Sequence, residues 1–156
     1  MKTASVYEIQ KELSILENKD LKEICLRLVK YKKENKELLY YLLFDAQDEK
    51  LFIKNIKADL DVLFSEINKS NAYITKKGLR KILRFVNRYC KYSSLKQTDL
   101  ELRIYFCAKV KLAAIPIDTN TVLANLYNRE VKKIKTNYLK LHEDLQFDYK
   151  HEIDIL

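Results

Sequence analysis

Residues 75–92, TKKGLRKILRFVNRYCKY, carry seven basic side chains and no acidic one. On a helix turning about 100° per residue, Lys77, Arg80, Lys81, Arg84, Arg88 and Lys91 fall within an arc of about 100°. Leu79, Ile82, Leu83, Val86 and Cys90 fall on the opposite side. Phe85 and Tyr92 border the basic arc. Arginine grips phosphate or carboxylate through two parallel hydrogen bonds, which lysine does not. Three of the six arginines lie on this one face at i, i+4 and i+8. A basic row edged by aromatic rings suits phosphate contact combined with base stacking. The expected binding set is therefore Lys77, Arg80, Lys81, Arg84, Phe85, Arg88, Lys91 and Tyr92, with a nucleic acid or an acidic protein as partner. The competing reading is a solvated amphipathic face. Lys76 and Lys77, read as first-turn residues, sit where the helix dipole disfavours cations, and this argues against a purely structural role.

The charge is localised. Residues 1–74 hold 13 basic and 13 acidic residues, and residues 119–156 hold 6 of each. The whole net charge of +8 belongs to residues 75–118. Glu143, Asp144, Asp148, Glu152 and Asp154 form an acidic stretch near the end of the chain, able in principle to fold against the basic helix and neutralise it.

Other chemistry is sparse. His142 and His151 are the only histidines. Asp148 and His151 stand one helical turn apart, but the second Glu-x-x-His of a carboxylate-bridged metal centre is missing. Gly78 is the only glycine, which excludes glycine-rich phosphate loops and nucleophile elbows. No catalytic residue, metal site or cofactor is expected, and the chain reads as a non-enzymatic binding or scaffold protein. Cys25, Cys90 and Cys107 have no CxxC spacing and read as reduced core thiols of a cytoplasmic protein. The start of the chain lacks the unbroken apolar segment of a secretory leader. No window reaches the roughly 18 apolar residues of a membrane span, so no membrane partner is expected.

One glycine and one proline in 156 residues leave little for tight turns, and Leu, Lys and Glu dominate. The expected fold is all-α, a single domain over residues 1–156 of six or seven antiparallel helices. Starts near 5, 35, 75 and 119 suggest a short α–α superhelix of helical hairpins, with a closed helical bundle as the alternative. Ser5-x-x-Glu8, Asp20-x-x-Glu23 and Thr98-x-x-Glu101 have the capping-box pattern. Asp48 is expected to cap a helix through 68, Thr75 to cap the basic helix, and Pro116 to close the next one. Residues 35–68 read either as one long helix or as two with a bend near Asp45. The apolar run Leu38–Phe44, LLYYLLF, is expected at the centre of the core, where truncating Leu39 or Leu42 to Ala costs about 2–5 kcal/mol. The last helix, starting at Asp118 or Thr119, carries a heptad stripe of Tyr127, Val131, Ile134, Tyr138, Leu141 and Leu145, extended by Tyr149. Through that stripe the chain could pair with a second copy as a self-associating structural protein.

Overall fold

The computed structural model describes residues 3–156. Residues 1 and 2, which head the stretch read as lacking a leader, lie outside the described residues. The fold is all-helical, with eight α-helices and no strand among the described residues. Eight helices form where six or seven are expected, because the expected last helix is divided into two. Among the described residues no helix is long and apolar enough to cross a membrane.

Where the sequence suggests one domain, the chain divides into two compact units, residues 1–44 and 45–156. In the first, α1 (Val6–Ser14) opens with the expected capping box. The Ser5 hydroxyl accepts from the Glu8 amide, and the Glu8 carboxylate accepts from the Ser5 amide. Helix α2 (Asn18–Tyr31) begins one turn earlier than expected, so Asp20 lies inside its first turn rather than at its cap. It packs on α3 (Lys33–Tyr40), and the Asn35 amide donates to the Leu28 carbonyl at 2.8 Å. The last turn of α3 widens into a π-helical segment over Tyr41–Asp45.

The expected core run corrects here. Within Leu38–Phe44 only Tyr41 is buried, while Leu42, Leu43 and Phe44 are more than half exposed. Leu38 and Leu39 are half-buried. A helix apolar all round needs neighbours on every side, and this short unit supplies one packed partner, α2. Cys25, expected in the core, is also exposed.

The core belongs to the second unit. Asp48 caps α4 (Glu49–Ser65) by accepting from the Leu51 amide, so residues 35–68 form two helices rather than one. Phe52, Ile53, Ile56, Leu60 and Phe64 line the buried face of α4. Helix α5 (Ala72–Ser93) buries Leu79, Ile82, Leu83, Val86 and Cys90, the apolar arc read from the sequence. Its cap is Asn71, not Thr75; the Asn71 side chain accepts from the Ile74 amide, and the Thr75 hydroxyl donates to the Asn71 carbonyl. With α5 starting at Ala72, Lys76 and Lys77 stand beyond the first turn, and the argument from dipole repulsion no longer applies to them.

Helix α6 (Lys96–Leu112) is the central element. It packs against α4, α5 and α7 (Thr121–Tyr138), burying Leu100, Leu102, Ile104, Phe106, Cys107 and Val110. The rings of Phe64 and Phe106 meet at 5.6 Å. Thr98 is not the α6 cap; it sits in the first turn, fully buried, and its hydroxyl donates to Glu49 of α4. Ser93 donates to the same Glu49 oxygen, so one carboxylate ties the start of α4 to the corner between α5 and α6. Helix α6 ends at Leu112, and Ala114 turns the chain with φ 50° just before Pro116.

The expected last helix is two. Helix α7 ends at Tyr138, and α8 (Glu143–Asp154) follows a short connection. The heptad stripe is thereby interrupted, and its α7 portion is already occupied: Tyr127 and Ile134 are buried in a helix packed on α6. Tyr149 of α8 donates to Glu101 at 3.0 Å and accepts from Gln97 at 3.1 Å. Lys111 donates to the Ile155 carbonyl, and Tyr127 to that of Leu156.

Two predictions follow from this packing. Burial pushes the Cys90 thiol well up and the Cys107 thiol up to about 12, so neither supplies reactive thiolate at neutral pH. Thiol titration of the native protein should show one fast group, abolished by Cys25→Ser; labelling of Cys90 at a comparable rate would contradict the packing. Gly78 lets α5 approach the chain after α4: a Cβ there would stand 2.8 Å from Cγ1 of Ile67. Gly78→Ala should therefore destabilise the wild type. In an Ile67→Ala background it should stabilise, by up to about 1 kcal/mol of helix propensity. Equal effects in both backgrounds would rule out that contact.

Candidate basic interface on helix α5

The basic helix presents its cations outward. Lys77, Arg80, Lys81, Arg84 and Lys91 are exposed, and Arg88 is half-buried. The arc opposite them is the core face of α5. Over residues 77–91 the row spans about 21 Å, at 1.5 Å per residue. Among the described residues, no carboxylate forms an ion pair with Lys77, Arg80, Lys81 or Arg84. The acidic α8 is anchored to α6 and α7 instead. Lys77, Lys81 and Arg84 also border a groove of about 270 Å³ beside Leu63, Glu66, Ile67 and Ile74.

The aromatic flank differs from the expectation. Tyr92 is buried, 8% exposed, and stands edge-on to Tyr89 at 5.5 Å. Phe85 is half-buried and packs on Tyr89 at 4.7 Å. Tyr89 in turn meets Phe52 of α4. Arg88 lies over both Phe85 and Tyr89, 6.0 and 5.6 Å from the ring centres. These rings weld α4 to α5 and carry Arg88 across them. Tyr92 leaves the binding set, and neither ring is a free platform for a base.

Sequence reasoning missed what lies behind this face. Arg103 of α6 is 7% exposed. Its Nε faces both oxygens of Asp99 at 3.0 Å, one Nη donates to Glu130 of α7 at 2.5 Å, and the other to Asn87 of α5 at 2.9 Å. Asn137 of α7 donates to Asp99, and Lys133 donates to the second oxygen of Glu130 at 2.8 Å. Burial pulls the Arg103 pKa down, but the bonds and charge of Asp99, with Glu130, outweigh it and hold the guanidinium more firmly protonated than usual. All three nitrogens of the guanidinium are engaged inside the protein, which separates Arg103 from the exposed arginines of α5. The signal was the Asp99–Arg103 spacing of i, i+4 on one helix, masked by counting Arg103 into the basic surplus.

No protein family, curated protein or solved structure matches the chain.

Removing one partner from a buried ion pair leaves the other charge uncompensated. Arg103→Met should cost about 3–5 kcal/mol in chemical denaturation. Adding Glu130→Met should restore part of that loss, since the stranded carboxylate goes with it. Additive losses would mean the two groups are not coupled.

Proposed function

We propose that the protein is a non-enzymatic binding module whose α5 face contacts the phosphate backbone of a nucleic acid. The observation that carries this reading is the openness of Arg80 and Arg84, exposed and free of ion pairs among the described residues, in line with Lys77 and Lys81. A row of cations confined to one face of a helix suits a polymer of repeating phosphates. Phosphate contacts position a protein without reading sequence. With Phe85 and Tyr92 engaged in packing, base stacking contributes little, so a duplex serves as well as a single strand. The α4–α7 helices, each touching its neighbours in sequence and α6 touching three, fit a short array of helical hairpins holding that face rigid.

The test is fluorescence anisotropy with a short labelled duplex and the matching single strand at about 50 and 200 mM salt, a range over which phosphate contacts weaken steeply. Arg80→Gln/Arg84→Gln should lower affinity about tenfold or more and flatten the salt slope by about two contacts. Its stability should stay within about 1 kcal/mol of wild type per site, as for exposed charges. Absence of binding to either probe at the lower salt would refute the nucleic-acid reading; binding to an acidic protein alone would redirect it to a carboxylate-rich partner.

A further inference from the structure

A second cationic feature lies on another side of the molecule. An open cleft of about 650 Å³ forms where the end of α5, the start of α6 and the middle of α7 meet. Its volume falls in the usual range for small-molecule sites. The floor holds Cys90, Asp99 and Arg103, and there the charges are mutually satisfied: Asp99 is taken by Arg103 and Asn137. The walls carry Lys96 from α6 and Arg129, Lys132 and Lys133 from α7. Lys133 is paired with Glu130. Lys96, Arg129 and Lys132 are exposed, and among the described residues none of them forms an ion pair. Three unneutralised cations thus surround a concave site from two helices, over a floor whose one carboxylate is already bound.

The other polar groups narrow the ligand. The Ser94 hydroxyl donates to the Lys91 carbonyl, the Thr136 hydroxyl to that of Lys132, and the Asn137 amide to Asp99. The two hydroxyls donate inside the protein and the Asn137 amide is committed to Asp99, so recognition falls chiefly to the cations. No aromatic side chain lines the cleft, which leaves nothing for a nucleobase to stack on. We infer that this cleft binds a small molecule carrying two or more linked phosphate groups, through Lys96, Arg129 and Lys132. The site stands apart from the α5 row. Cys90 sits about 120° around the helix from Arg84 and about 160° from Arg88, and the inference does not rest on the nucleic-acid reading.

Calorimetric titration of the full chain with tripolyphosphate, at about 50 mM salt where charge contacts are strong, tests it. Wild type should bind one equivalent. Arg129→Gln/Lys132→Gln should weaken binding about tenfold or more, as loss of charge-assisted hydrogen bonds does, with an unchanged melting temperature. Lys96→Gln should weaken it independently, and Arg80→Gln/Arg84→Gln should leave it intact. ATP should bind no more tightly than tripolyphosphate, which separates bare polyphosphate from nucleotide recognition. Lack of saturable binding would overturn the proposal. So would equal loss in the α5 variant, which would trace binding to the α5 face and a polymer, or a large preference for ATP, which would require a base pocket.

Discussion

The second unit is organised around one buried cation. Arg103 draws Asn87 of α5, Asp99 of α6 and Glu130 of α7 onto a single guanidinium, so three helices are held at fixed register by one planar group. A buried ion pair contributes little net stability compared with apolar packing of the same shape, but it penalises every arrangement that separates its members. Glu49 performs a comparable task for α4, accepting from Ser93 and Thr98 and so tying α4 to the α5–α6 corner. Alongside these polar anchors, Leu60, Leu79, Val86, Leu100 and Phe106 are fully buried.

That arrangement decides which charges face water. The carboxylates near α6 are consumed locally: Glu101 by Lys57 and Tyr149, Asp61 by Lys109 and Tyr105, and Glu130 by Arg103 and Lys133. None of these is left to neutralise Arg80 or Arg84, and Glu66, which borders the groove beside Arg84, forms no ion pair with it among the described residues. The acidic α8 docks through Tyr149 and the chain end onto α6 and α7, so its charges cannot fold over the α5 row without undocking. An open basic face is thus a consequence of how the interior spends its carboxylates. Exposed cations so disposed attract polyanions by field as well as by contact.

The all-helical class and the two faces of α5 were legible because both depend on period and composition, which are local. The position of the core was not. LLYYLLF reads as the most apolar segment, yet it is α6, with Glu101, Arg103, Lys109 and Lys111 along it, that packs on α4, α5 and α7. Its charges conceal its centrality, because each of the buried or half-buried ones meets a partner from a helix distant in sequence. The same non-locality hid the role of Tyr92: its spacing placed it beside the basic arc, and only packing against Tyr89 shows it to be core. The break between α7 and α8 carries neither glycine nor proline, so nothing in the sequence interrupts the apparent heptads. Cap assignments erred at Thr75 and Thr98 for a related reason, since buried hydroxyls that donate to a carbonyl or to Glu49 look like helix caps in one dimension.

The central claim is that two classes of arginine coexist, one locked inside the fold and one open on α5. Nuclear magnetic resonance of the arginine Nε–H groups, followed while a short duplex is titrated in, reads both at once. The account predicts that the Arg103 signal exchanges slowly with water and does not move, whereas those of Arg80 and Arg84 exchange quickly in the free protein and shift as duplex is added. An Arg103 signal exchanging as fast as that of exposed Arg27, or a titration that leaves Arg80 and Arg84 unmoved, would contradict it.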